Sequence, residues 1–141
     1  MKKSEGKKTK LDASKNVSTN RHRGRYARTK GHRYEQQIVN ELKELGFDGC
    51  RTSRFASKMK DDQKIDVVDL ENKLPVEIQL KKTQSIPNYF KIREESGADP
   101  KKFCIIWAKQ EPRETNIITV GEVAIISKEM LYELLKPYAS E

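Results

Sequence analysis

The sequence predicts an α/β (α+β) fold, a mixed central sheet flanked by helices. Three observations predict it. Apolar residues recur at helical spacing early and late in the chain. Short apolar runs of strand length fill the middle. Gly46, Gly97 and Pro137 stand where the helical segments stop. A length of 141 residues suits one domain, and 35% hydrophobic against 35% charged residues makes its core a modest one.

Each element follows in order. Residues 1–20 show no apolar periodicity and are expected to be disordered. We take 1–27 as a basic arm and 28–141 as the folded domain. From Arg28 to Leu45 a helix is expected, because Tyr34, Ile38, Leu42 and Leu45 share one face and Gly46 can cap its end. Gly49–Phe55 reads as a first strand, and ASKMKDDQ as a polar turn. Lys64–Leu70 and Leu74–Thr83 read as two strands joined at Glu71–Lys73. Ser85–Gly97 reads as a helix with Pro87 in its first turn. Lys102–Lys109 is a continuous apolar run, a buried strand, and Asn116–Ile126 is a further strand or bent pair. Ser127 caps a terminal helix that closes near Pro137. The order is α-β-β-β-α-β-β-α.

Composition excludes some classes. No apolar run approaches the roughly 20 residues that span a bilayer, and MKKSEGKKTK lacks the apolar stretch of a signal peptide. Cys50 and Cys104 lack CxxC spacing, which argues against a zinc cluster and for a reducing, cytoplasmic setting. Both read as inert small hydrophobes. Charge is uneven: Met1–Tyr34 holds twelve Lys/Arg against Glu5 and Asp12, while the remainder holds 17 against 19 acids. Such an arm is either a solvated tail or a polyanion-binding segment, and its arginines favour phosphate. Arg21, Arg23, Arg25, Arg28, Lys30 and Arg33 are the candidate contacts, with Tyr26 and Tyr34 as stacking faces.

The segment IDVVDLENKLPVEIQLKKT, Ile65–Thr83, places a carboxylate inside each of two apolar runs, Asp66 and Glu77. By strand alternation Asp66 and Val68 share one face, and Ile65, Val67 and Asp69 the other. Glu77, Gln79 and Lys81 share a face opposite Val76, Ile78 and Leu80. Taken singly, each is an ordinary half-exposed strand. Paired through a short turn, the two acids can approach one another, and repelling carboxylates are tolerated when a hard divalent cation bridges them.

These residues resemble the PD-(D/E)xK nuclease superfamily, and more narrowly its archaeal-type and phage-type Holliday junction resolvases. The motifs run in order: Gly31-His-Arg-Tyr-Glu35, then Cys50-Arg-Thr-Ser-Arg54, then Ile65-Asp66, then Val76-Glu77-Ile-Gln79. The resemblance covers Gly31 to about Gln110. It implies a restriction-endonuclease-like core and a Mg²⁺- or Mn²⁺-dependent endodeoxyribonuclease with one or two ions per site, cutting four-way or otherwise branched DNA. It further implies a homodimer that makes two symmetric cuts, and an intracellular, phage-encoded source is compatible with it. Asp66, Glu77, the Ile78 carbonyl and Glu35 are the implied metal ligands. Gln79 stands where the family usually has Lys; it would orient the attacking water, and Lys81 or Lys82 would offset charge on the scissile phosphate.

Smaller features carry two readings each. Arg51, Ser53 and Arg54 either contact phosphates or edge a strand. Asp69 reads as a strand-end charge, Asp61 and Asp62 as turn residues, Trp107 as core, and His22 and His32 as DNA contacts or solvated side chains. Two alternatives remain: a restriction- or repair-type duplex nuclease on the same core, and a catalytically inactive basic DNA- or RNA-binding protein.

Overall fold

The computed structural model describes residues 25, 28, 29, 31–56 and 58–140. The chain divides into two compact units, Met1–Arg33 and Tyr34–Glu141. In the first unit residues 25, 28, 29 and 31–33 are helical, and Thr29 Oγ1 donates to the Arg25 carbonyl at 3.0 Å. The expected disorder of residues 1–20 lies outside the described residues.

The second unit opens with helix α1, residues 34–44. Tyr34 and Ile38 are buried and Leu42 is half-buried, as the spacing predicts, and Val39 is buried beside them. Leu45 is 75% exposed, contrary to expectation. The helix has already stopped: Phe47 N–H donates to Leu42 O and Gly46 N–H to Lys43 O, a Schellman motif around Gly46 at φ 112°. Phe47 rather than Leu45 packs on the core beside Leu42.

Strand β1 is short, Cys50–Thr52, and the chain then turns into helices α2 (Ser53–Ala56) and α3 (Lys58–Asp62) where a longer strand and a polar turn were expected. Polarity alone does not exclude a helix there, because Lys and Met are good helix formers. A second Schellman motif ends α3, with Ile65 N–H on Lys60 O, Lys64 N–H on Asp61 O, and Lys64 itself left-handed at φ 64°. Lys64 is therefore part of a helix cap, and β2 spans only Val67–Asp69. Asp69 closes the following turn by accepting the N–H groups of Glu71, Lys73 and Leu74 at 2.8–2.9 Å. These bonds, that of Glu71 first, hold its carboxyl below the usual range.

Strand β3 spans Glu77–Thr83. Helix α4 spans Tyr89–Ser96, capped by Asn88 Oδ1 at 3.2 Å from Lys91 N and ended by left-handed Gly97. Pro87 precedes the cap instead of lying in the first turn. Strands β4 (Phe103–Pro112) and β5 (Ile117–Ile126) form a long hairpin with an irregularity between Lys109 and Gln110. Helix α5, Lys128–Leu135, is capped by Ser127, and Pro137 falls in a 3-10 turn, Lys136–Tyr138.

The sheet order is β1-β2-β3-β4-β5. Pairing is antiparallel except between β3 and β4, which are parallel and joined through α4. Parallel neighbours require such a crossover. Both faces are covered. On one, Tyr34, Ile38 and Val39 of α1 and Met130 of α5 pack on Val67, Ile78, Cys104 and Ala108. On the other, Tyr89 of α4 packs with Ile65, Phe103 and Ile105. Cys50 and Cys104 are free and buried, as expected; burial raises both thiols, Cys104 to about 11. Among the described residues no helix is long and apolar enough to cross a membrane.

Candidate active site

The site forms where β2 peels away from β3. Strict alternation would set Ile65 and Val67 on one face, but Ile65 packs with Tyr89 and Phe103 while Val67 packs with Tyr34 and Ile38. The backbone is irregular at the residue between them, Asp66. Its N–H donates to Ile78 O at 2.8 Å, its carbonyl accepts from Ser53 N–H at 3.0 Å, and its Oδ2 accepts from Leu80 N–H at 2.7 Å. The Asp66 side chain thus lies against the β3 backbone instead of standing on a face. Asp66 therefore does not follow the strand alternation expected of it.

The charges that act on Asp66 are those of Glu35, Lys81 and Arg54. Burial first, then the nearby negative Glu35, raises its carboxyl to about 6; the Leu80 N–H, Lys81 and Arg54 pull the other way. Glu35 on α1 is only 7% exposed. It pairs with Arg54, whose Nε and Nη2 reach Oε2 and Oε1 at 3.2 and 3.3 Å. Two acids and two cations, Glu35, Asp66, Arg54 and Lys81, therefore form one near-neutral cluster.

Glu77 is engaged elsewhere: its Oε1 pairs with Lys60 Nζ of α3 at 2.9 Å. The Ile78 carbonyl is taken by the Asp66 N–H. Gln79 is buried, 6% exposed, and its Oε1 finds no hydrogen-bond partner. It immediately precedes Leu80, whose N–H holds Asp66. Lys81 is half-buried on the Gln79 side of the strand. Lys82 faces the other way, its Nζ 5.3 Å above the Tyr34 ring.

Among the expected DNA contacts, Arg51 is exposed, with Nη1 on the carbonyls of Asp48 and Cys50. Ser53 is fully buried and bonds Asp61 Oδ1 at 3.3 Å, so it has no surface to offer a phosphate; that expectation is corrected. Arg25, Arg28 and Arg33 are exposed. Arg21, Arg23 and Lys30 lie outside the described residues, as do His22 and Tyr26. Trp107 is half-buried, and its Nε1 donates to Thr83. Two pairings carry no local sequence signal, Arg54 with Glu35 and Lys60 with Glu77: their residues stand 19 and 17 positions apart, and the two cations lie on α2 and α3, where a strand and a turn were expected.

The donors here are hard oxygens: two carboxylates, and an amide oxygen left without a partner. Among the described residues no three His, Cys, Asp or Glu side chains stand together. An oxygen set completed by an amide and water still fits a small divalent cation, which keeps much of its hydration. The orphaned Gln79 Oε1 is the observation that favours such a ligand, since a buried unpaired oxygen is costly unless something binds it.

A five-stranded mixed sheet with helices on both faces is consistent with a restriction-endonuclease-like fold. Residues 26–103, more than half the chain, match the family model of the archaeal Holliday junction resolvase (Hjc). The chain belongs to that family, whose members bind four-way DNA junctions and cut them with a divalent metal. No curated protein and no solved structure matches the chain. Family membership supports the junction-resolvase reading over the duplex-nuclease and inactive-binder alternatives.

Proposed function

We propose that junction cleavage is centred on Asp66, with Glu35, Gln79 and Lys81 around it and Mg²⁺ or Mn²⁺ as the ion. One observation carries this reading: a single carboxylate is fixed by the Leu80 N–H while Glu35 and Lys81 act on it electrostatically with opposite sign. A bound divalent cation supplies a water that is nucleophilic near neutral pH and a shield for charge on the phosphate.

The chain's own groups have separate tasks. The Leu80 amide holds Asp66 Oδ2, which leaves Oδ1 to the ion. Glu35, carried by α1, supplies the second carboxylate. Gln79 offers its unpaired Oε1, as a ligand or to orient the water. Lys81 offsets charge on the scissile phosphate. Glu77 joins the ligand set only if Lys60 releases it, so we assign it a supporting part. Arg51, Arg54 and Lys82, with the basic residues of the arm, hold the DNA backbone through its phosphates and give little base selectivity.

A homodimer accords with two symmetric cuts. Its support is the long edge strand β5, where Ile117, Val120 and Val123 are about half exposed. An open apolar edge of this kind invites pairing with a second copy.

Cleavage of a synthetic four-way junction by single variants tests the residue assignment. Glu35→Gln, Asp66→Asn and Lys81→Met are expected to lower the rate by at least ~100-fold, the usual scale for removing a group that acts at the transition state. Glu77→Gln is expected to lower it by less than ~10-fold. A Glu77→Gln loss as large as that of Asp66→Asn would restore Glu77 as a principal ligand.

A further inference from the structure

We propose that Arg54 is a latch on Glu35: the guanidinium occupies the acid until a DNA phosphate draws it away, so the metal site becomes complete only on the substrate. The proposal rests on the placement of the metal at Asp66 and Glu35 given above.

The geometry supplies the closed state. Arg54 Nε and Nη2 take both Glu35 oxygens, at 3.2 and 3.3 Å. Any ion that coordinates Glu35 must compete with that fork. The two side chains differ in exposure, Glu35 at 9% and Arg54 at 45%. Glu35 is therefore confined, whereas its partner is open to solvent and to a passing phosphate. A guanidinium fits phosphate oxygens bidentately as well as it fits a carboxylate. Arg54 also sits on the four-residue α2, joined to α3 by a short link, and not within a long helix.

Charge supplies the drive. Without metal, Arg54 and Lys81 balance Glu35 and Asp66. Adding a divalent ion to that cluster places two further positive charges beside Arg54. When a phosphate removes Arg54 from Glu35, it brings its own negative charge and makes room for the ion. Phosphate and metal binding are then coupled, and the coupling is reciprocal. In the absence of DNA, Arg54 is an inhibitor of metal binding.

Binding of Mn²⁺ to the full chain without DNA, followed through the free-ion EPR signal, tests this apart from catalysis. Arg54→Ala is expected to bind Mn²⁺ roughly tenfold more tightly than the wild type, a typical coupling between two sites. Arg54→Lys keeps the charge but loses the fork, and should fall between them; it also serves if Arg54→Ala does not fold. In a Glu35→Gln background the Arg54 substitution should change affinity by less than about twofold, because the partner is already gone. Unchanged or weaker binding in both Arg54 variants overturns the latch, as does a full effect in the Glu35→Gln background or no Mn²⁺ binding by any form. Asp66→Asn separates the two layers: if it weakens binding while Arg54→Ala does nothing, the latch alone fails. If Asp66→Asn binds like the wild type, the site assignment itself is wrong.

Discussion

The Leu80 N–H donates to Asp66 Oδ2 across 2.7 Å, tying a carboxylate at the start of β2 to the backbone of β3. That bond holds the Asp66 side chain against the β3 backbone. Asn at position 66 keeps an oxygen for the Leu80 N–H, so Asp66→Asn removes the charge while preserving the fold.

The same substitution makes the stability of the protein depend differently on pH. Asp66 titrates near 6 in the folded chain against an ordinary 3.8. A raised acid favours the folded state most below about pH 4, and that contribution is lost as pH rises through about 6. Metal-free Asp66→Asn lacks the loss. Its stability relative to wild type should rise by about 2–3 kcal/mol between pH 4 and pH 8, at 1.36 kcal/mol per unit. Denaturant titrations at the two pH values check this; a constant difference would mean that Asp66 is not buried in this way.

Gln79→Leu separates function from structure. Its Oε1 has no partner in the protein, so an apolar side chain of similar size should leave stability unchanged or raise it. Mn²⁺ affinity and cleavage should each fall by roughly tenfold if the oxygen serves the ion. A melting temperature that drops sharply would show that the amide is a structural group.

The N-terminal arm should reveal itself through salt. Residues 1–24 carry eight Lys/Arg. Deleting them should lower junction affinity at low salt and flatten the slope of log K against log salt, since fewer counterions are released. An unchanged slope would make the arm a mere solubility tail.

Ser127 is a structural control. Its Oγ accepts from Met130 N–H at 3.0 Å and donates to Pro100 O at 2.8 Å. Ser127→Ala should cost about 1 kcal/mol of stability, the usual loss of a helix cap, with cleavage by the remaining folded protein unaltered.

Much of this was legible in the sequence, for identifiable reasons. Tyr34, Ile38 and Leu42 recur at helical spacing, and Val76, Ile78 and Leu80 alternate cleanly, so α1 and β3 followed from periodicity. Asn88 and Ser127 cap helices as their side chains allow, and Ser127 stands directly before an apolar helical pattern that marks it as a cap. The candidate site residues can be picked out in the sequence as acids within apolar runs, but their geometry cannot. Strand alternation fails at Asp66 because the left-handed cap at Lys64 and the bond to Leu80 break the pleat, and no local signal announces that. The partner of Glu77 was hidden in ASKMKDDQ, whose polarity concealed the helix that presents Lys60. Burial of Gln79 was equally hidden, because it depends on the parallel neighbour Ile105.

The most direct measurement of the central claim compares cleavage of a four-way junction with that of linear duplex of the same sequences, in Mg²⁺ and in chelator, by wild type and Asp66→Asn. The wild type should cut the junction in Mg²⁺ alone and leave the duplex largely intact, and Asp66→Asn should bind the junction with near-normal affinity yet not cut it. Cleavage that persists in Asp66→Asn, or in chelator, would contradict a metal-dependent resolvase site built on that carboxylate.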